Sequence, residues 1–220
     1  MSARIQALLI VLGMVELAAL NGSSPGGRSG LRAGRGPSPQ ASRPAPLRIR
    51  LLPAAAIVGR VSIDPRVDIG HVHLKVSDID QSLGFYRDIL GFDVTQRLGD
   101  EAAFISAGGY HHHLGLNTWE SRSGSPPPRG ATGLYHVAIR YPDRAELGDA
   151  LRRLIDAGWP VDGATDHGVS EAIYLRDPDG NGVELYRDKP EEEWPRPAEG
   201  GGVAMQNAPF DLQALLAEAG

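Results

Sequence analysis

Two stretches of this chain are near-copies of one another: His71-Val-His-Leu-Lys-Val-Ser-Asp78 and His136-Val-Ala-Ile-Arg-Tyr-Pro-Asp143. In both, apolar and polar positions alternate with a period of two, so each reads as a strand with one face to bury and one to display. The residues downstream of each copy repeat as well. Ser77-Asp78 can cap a helix whose Leu83, Tyr86, Ile89 and Leu90 recur at helical spacing until Gly91, and the second copy leads into Leu147, Leu151, Leu154 and Ile155 until Gly158. Short strands are expected next, at about 93–98, 102–106 and 112–118 in the first half and at about 171–175 and 182–186 in the second. The order strand, helix, three strands, met twice, predicts an α+β fold of two paired βαβββ modules, the halves of one cup. The modules span about 67–120 and 133–190, and Ser121–Gly133, with Pro126-Pro-Pro128, links them.

All seven histidines lie between His71 and His167. His71 and His136 open the two copies, so the repeat offers one imidazole from each half to the same ion. A lone buried histidine is more often a hydrogen-bonded core residue, but two at matching repeat positions favour ligation. There is no cysteine, which excludes disulfides, thiolate metal sites and cysteine nucleophiles. Any metal must therefore be held by nitrogen and oxygen. The net charge is −5 and the module region contains no Lys/Arg run, which argues against nucleic acid as a partner.

Outside the modules the chain is less informative. Residues 1–20 carry Arg4 ahead of an apolar run, superficially a secretory signal, but Glu16 interrupts a run that is short for a membrane span. A non-native extension from a misplaced start codon is the other reading, and the expected location is cytoplasmic with export the alternative. Residues from Asn21 to about Pro53 are rich in Gly, Ser, Pro and Arg and read as a disordered linker, so the segment 1–60 is set apart from the 67–190 domain. In the tail at 191–220, Phe210-Asp-Leu-Gln-Ala-Leu-Leu-Ala-Glu218 reads as a capped short helix that can pack on its own core or across a subunit.

Two further phrases, Ser82-Leu-Gly-Phe-Tyr-Arg-Asp-Ile-Leu-Gly-Phe92 and Asp177-Pro-Asp-Gly-Asn-Gly-Val-Glu-Leu185, complete a pattern that resembles the vicinal oxygen chelate superfamily over roughly residues 67 to 190. That superfamily includes glyoxalase, bleomycin-resistance and extradiol dioxygenase proteins. Gly70–Asp78, Gly108–Trp119 and the Phe210–Glu218 tail are similar to its catechol 2,3-dioxygenase branch. The resemblance implies a metal-binding cup with His71, His136 and Glu184 as ligands, a two-histidine, one-carboxylate set that leaves coordination positions open on non-haem Fe(II). Mn(II) suits the same donors, and Zn(II) remains open on ligand type.

The resemblance also implies roles for three more residues. His113 matches the acid/base histidine, and His167 and Tyr174 match the histidine and tyrosine on the substrate side, although Tyr174 alone could be a core aromatic. If His111-His112-His113 continue a strand, His111 and His113 share a face and His112 opposes them. His73 comes after His71 on one face and either lines the pocket or packs in the core. Alignment of His113-Leu-Gly-Leu with Gly182-Val-Glu-Leu places Gly115 opposite Glu184, where glyoxalase I enzymes carry a fourth ligand; glycine has no donor, which favours an oxygenase. The expected partners are an aromatic diol and O2, with a homo-oligomer as the assembly. Glyoxalase-like isomerisation, thiol transfer and a metal-free drug-binding module are the rivals. Asp177-Pro-Asp-Gly-Asn-Gly182 imitates the start of a calcium loop, but position twelve is Asp188 rather than Glu, and strand-like residues on both sides require a hairpin turn.

Overall fold

The computed structural model describes residues 62–220, so the expectations for the N-terminal segment fall outside the described residues. The first module runs β1 (Val72–Lys75), α1 (Ile79–Tyr86), β2 (Asp93–Leu98), β3 (Ala102–Ser106) and β4 (Leu114–Asn117). The second runs β5 (Val137–Arg140), α2 (Arg144–Asp156), β6 (Val161–Asp166), β7 (Ser170–Arg176) and β8 (Gly182–Asp188). A single 3-10 turn (Glu191–Glu193), β9 (Ala208–Pro209) and α3 (Leu212–Glu218) make up the tail. Both expected modules are present, in the same order of elements.

Each module folds into one sheet with the same topology, β1-β4-β3-β2 and β5-β8-β7-β6, and the tail adds β9 to the second. The first and last strands of a module lie parallel because the helix carries the chain back across the sheet, as parallel pairing requires. The helices begin where the sequence places them: Asp78 accepts from the Gln81 amide and Asp143 from the Glu146 amide, satisfying otherwise orphaned helix N–H groups. Their inner faces, Leu83 and Phe85 on α1 and Leu147, Leu151 and Leu154 on α2, are fully buried with Ile105, Leu116, Ile173 and Leu185 of the sheets. Burying each such side chain contributes about 1.5–3 kcal/mol.

The modules are clasped together. The Tyr86 hydroxyl of α1 donates to Asp177 Oδ2 at 3.0 Å, and the Ser77 amide donates to Asp179 Oδ1 at 3.0 Å. Asp177 also accepts from the amides of Asp179 and Asn181, and burial pushes its carboxyl pKa up. The calcium-like motif is thus the β7–β8 turn, its carboxylate engaged by protein donors. The tail helix docks on its own chain: Leu215 is fully buried, and a Cβ on Gly148 of α2 would lie 2.8 Å from the Leu215 carbonyl. Arg144 binds Glu218 at 2.9 Å and stands 5.7 Å from the Phe210 ring.

Candidate active site

Register builds the site in the second module. Tyr174 on β7 pairs with Glu184 on β8, and Glu184 pairs with Ala138 on β5, so the three share one sheet face. His136 lies two residues before Ala138 and points the same way. Its Nε2 lies 2.8 Å from Glu184 Oε2, the Tyr174 hydroxyl lies 3.0 Å from Glu184 Oε1, and His167 Nε2 lies 2.6 Å from the same hydroxyl. Four of the six residues expected at the site therefore form one continuous chain. Burial and the neighbouring Glu184 carboxylate push Tyr174 up to about 12, so it stays protonated at neutral pH. Beside this chain a cavity of about 270 Å³ is lined by Tyr135, His136, Asp162, Tyr174 and Arg176.

Gly182 makes the arrangement possible. A Cβ there would stand 2.0 Å from the Tyr135 carbonyl oxygen and 3.0 Å from His136 Cβ, so only glycine lets β8 pass this close to the residue carrying the imidazole. The sequence alignment put His113 opposite this glycine but did not show that a side chain there would collide with the His136 segment.

The first module carries its own histidine group. His73 pairs with Gly115, which in turn pairs with Phe104, and a Cβ on Gly115 would fall 2.9 Å from three atoms of the His73 ring. His73 therefore fills the space a larger residue at 115 would take. Its Nε2 is buried without a hydrogen-bond partner among the described residues, and burial, then the nearby His71, lowers its pKa.

The expected facing of the histidine triplet is corrected. β4 begins only at Leu114, because Gly108 and Gly109 take positive φ and lead the chain into a loop, so strict alternation does not govern His111–His113. His112 does not oppose the His71 face: its ring centroid is 4.4 Å from that of His71 and 5.0 Å from that of Phe104. Burial, then the neighbouring histidines, lower its pKa to about 4. His113 keeps backbone bonds to both neighbouring strands, and its Nδ1 lies 3.0 Å from Ser106 Oγ.

His71 contacts His111 and His112 through its ring, whereas His136 and Glu184 contact each other. Among the described residues no three His, Asp or Glu side chains gather into a metal-holding group. The donors that do meet, an imidazole and a largely buried carboxylate, are of the nitrogen and oxygen type that a divalent ion takes, and the buried Nδ1 of His136 has no hydrogen-bond partner among the described residues.

A duplicated βαβββ fold with an imidazole opening each module and a carboxylate on the last strand defines a class of small α+β proteins with paired sheets. The chain belongs to the Glyoxalase/Bleomycin resistance protein/Dioxygenase superfamily, whose family model matches residues 68–185. It is 45% identical over 160 residues to a catechol-2,3-dioxygenase of Bacillus subtilis (strain 168), a match covering 72% of this chain and 54% of that protein. It is 31% identical over 137 residues to biphenyl-2,3-diol 1,2-dioxygenase 3 of Rhodococcus globerulus, covering 60% of this chain and 70% of that one. This chain thus spans about half the length of the Bacillus protein. Among solved structures, a lactoylglutathione lyase from Agrobacterium tumefaciens aligns with a TM-score of 0.45 and 27% identity over 56% of this chain and 96% of that one. No helix among the described residues is long and apolar enough to cross a membrane.

Proposed function

We propose that the chain is an extradiol ring-cleaving dioxygenase that uses Fe(II), or Mn(II), and O2 on a small aromatic diol. The observation that carries this reading is the unbroken chain His136–Glu184–Tyr174–His167, in which two expected metal ligands run directly into two proton-bearing groups. The similarity to the Bacillus catechol-2,3-dioxygenase supports it. His136 and Glu184, with His71 from the first module, would hold the ion, which when bound supplies Lewis acidity that lowers the proton affinity of a diol oxygen. The residues then divide the remaining work. Tyr174, kept protonated, has a single hydrogen, which it donates to Glu184 and can instead offer to a substrate oxygen; His167 stands against the same hydroxyl; His113, on the first module, serves as acid/base. Gly115 has no donor and His73 occupies its space, which disfavours the four-ligand site of a glyoxalase.

The test is metal content and ring cleavage on one anaerobic, reducing preparation. His71→Ala, His136→Ala and Glu184→Ala should each lose most bound metal and all turnover of a catechol panel, whereas His112→Ala should keep its metal. His113→Phe should keep metal and substrate binding yet lose roughly 10²- to 10⁴-fold in rate. A full metal complement in folded Glu184→Ala would refute the ligand set. Isomerisation of a thiohemiacetal or transfer of a thiol, with no catechol cleaved, would refute the reaction.

A further inference from the structure

The tail beyond the second module returns to His167. The Gln206 amide donates to the His167 carbonyl at 3.1 Å, and the Gln206 carbonyl lies 3.0 Å from His167 Nδ1. Further on, Ala208 and Pro209 pair with Asp166 and Thr165. A carbonyl oxygen can only accept, so Nδ1 must carry the hydrogen; in a neutral imidazole Nε2 is then a lone pair. That lone pair stands 2.6 Å from the Tyr174 hydroxyl, whose single hydrogen it shares with Glu184 Oε1 at 3.0 Å. His113 is held the other way round. Its Nδ1 lies 3.3 Å from the Ala107 amide, a group that can only donate, and 3.0 Å from the Ser106 hydroxyl. Nδ1 of His113 is therefore the acceptor, and Nε2 carries the hydrogen.

We propose that the fold sets these two histidines as opposite tautomers, His113 presenting a donor and His167 an acceptor, and that the Gln206 backbone carbonyl is the positioning group that fixes His167. The tail is built to hold that carbonyl still. The Trp194 indole donates to the Lys189 carbonyl at 2.8 Å, and the Ala204 amide donates to the Pro195 carbonyl at 2.8 Å. At the far end α3 is anchored by buried Leu215 and by the Arg144–Glu218 pair. Gly168, at φ +79°, leaves room for the return: a Cβ there would lie 2.8 Å from Pro195 and 3.2 Å from Gln206. The chemical use of this setting rests on the dioxygenase reading, which gives His113 the acid/base role and puts His167 beside Tyr174. A ring whose hydrogen is fixed by its other nitrogen needs no tautomer change before it acts.

The experiment is two-bond 15N–1H correlation spectroscopy of the full chain, labelled in its histidine rings and loaded with diamagnetic Zn(II), at mildly alkaline pH. His113→Asn and His167→Asn assign the signals. The expected spectrum shows His113 as the Nε2–H tautomer and His167 as the Nδ1–H tautomer; the same tautomer at both overturns the proposal. Gln206→Pro removes the amide that ties the tail to His167, and should move His167 to predominantly Nε2–H while leaving His113 unchanged. A folded Gln206→Pro protein with His167 still wholly Nδ1–H overturns the role of Gln206. The unmodified protein decides the tautomer claim even if that variant does not fold. Neither ring is a proposed metal ligand, so the result stands apart from whether any catechol is cleaved.

Discussion

Gly115 and Glu184 hold the same place in two copies of one module, and so do His73 and Ala138, as the strand registers show. In the second module a small residue on the first strand makes way for a carboxylate on the last. In the first module the sizes are exchanged: the last strand gives up its side chain and the imidazole of His73 lies across the vacated backbone. Phe104 likewise stands where Tyr174 does, so the first copy lacks the hydroxyl as well as the carboxylate. Side-chain volume across the facing strands is conserved while chemistry is not, as close packing demands. At these three positions a duplicated fold thus places polar groups in one copy and space-filling ones in the other without altering the backbone plan.

The largest test of this contrast is Gly182→Ala. A methyl group 2.0 Å from a backbone oxygen cannot be relieved by rotating a side chain, so the strand or the Tyr135–His136 segment must move. We expect a loss of about 3 kcal/mol or more in thermal or denaturant unfolding, with metal affinity reduced about 10- to 100-fold. Unchanged metal affinity would mean that the close approach does not position His136. Gly115→Ala meets a side chain instead of backbone, so about 1–2 kcal/mol is expected, and His73→Ala in the same protein should recover part of it. Strict additivity in that double-mutant cycle would break the idea that the two positions trade volume. The smallest effect belongs to the clasp between modules: Tyr86→Phe removes one of several donors to Asp177, and about 1 kcal/mol of stability should go with it.

The repeat made most of the architecture legible. β2 and β3 fall at their expected ends because Gly91 and the Gly99-Asp100 turn bound alternating residues, and both helices start on their capping aspartates. β4 begins later than expected because the positive-φ glycines at 108 and 109 free the histidine triplet from the ladder, a backbone preference that a run of imidazoles conceals. β6, with Asp162-Gly163 in its middle, carries no alternation strong enough to give its ends. Of the six expected site residues, register brings His136, Glu184 and Tyr174 onto one face, and His167 reaches them from the turn before β7. The tail's approach to His167 had no sequence signal, because the group that makes the contact is a main-chain carbonyl, which any residue would supply.

The turn at Asp177 has a consequence for how such a protein can change over generations. A fresh duplication leaves a spare copy, and either one can be lost without harm. Here the helix of the first copy supplies the hydroxyl that seats the loop of the second, and the second returns Asp179 to the Ser77 amide of the first. Deleting either copy would strip partners from buried polar groups of the other. The two halves are inherited as an indivisible pair, free to drift apart in chemistry because they no longer can in number.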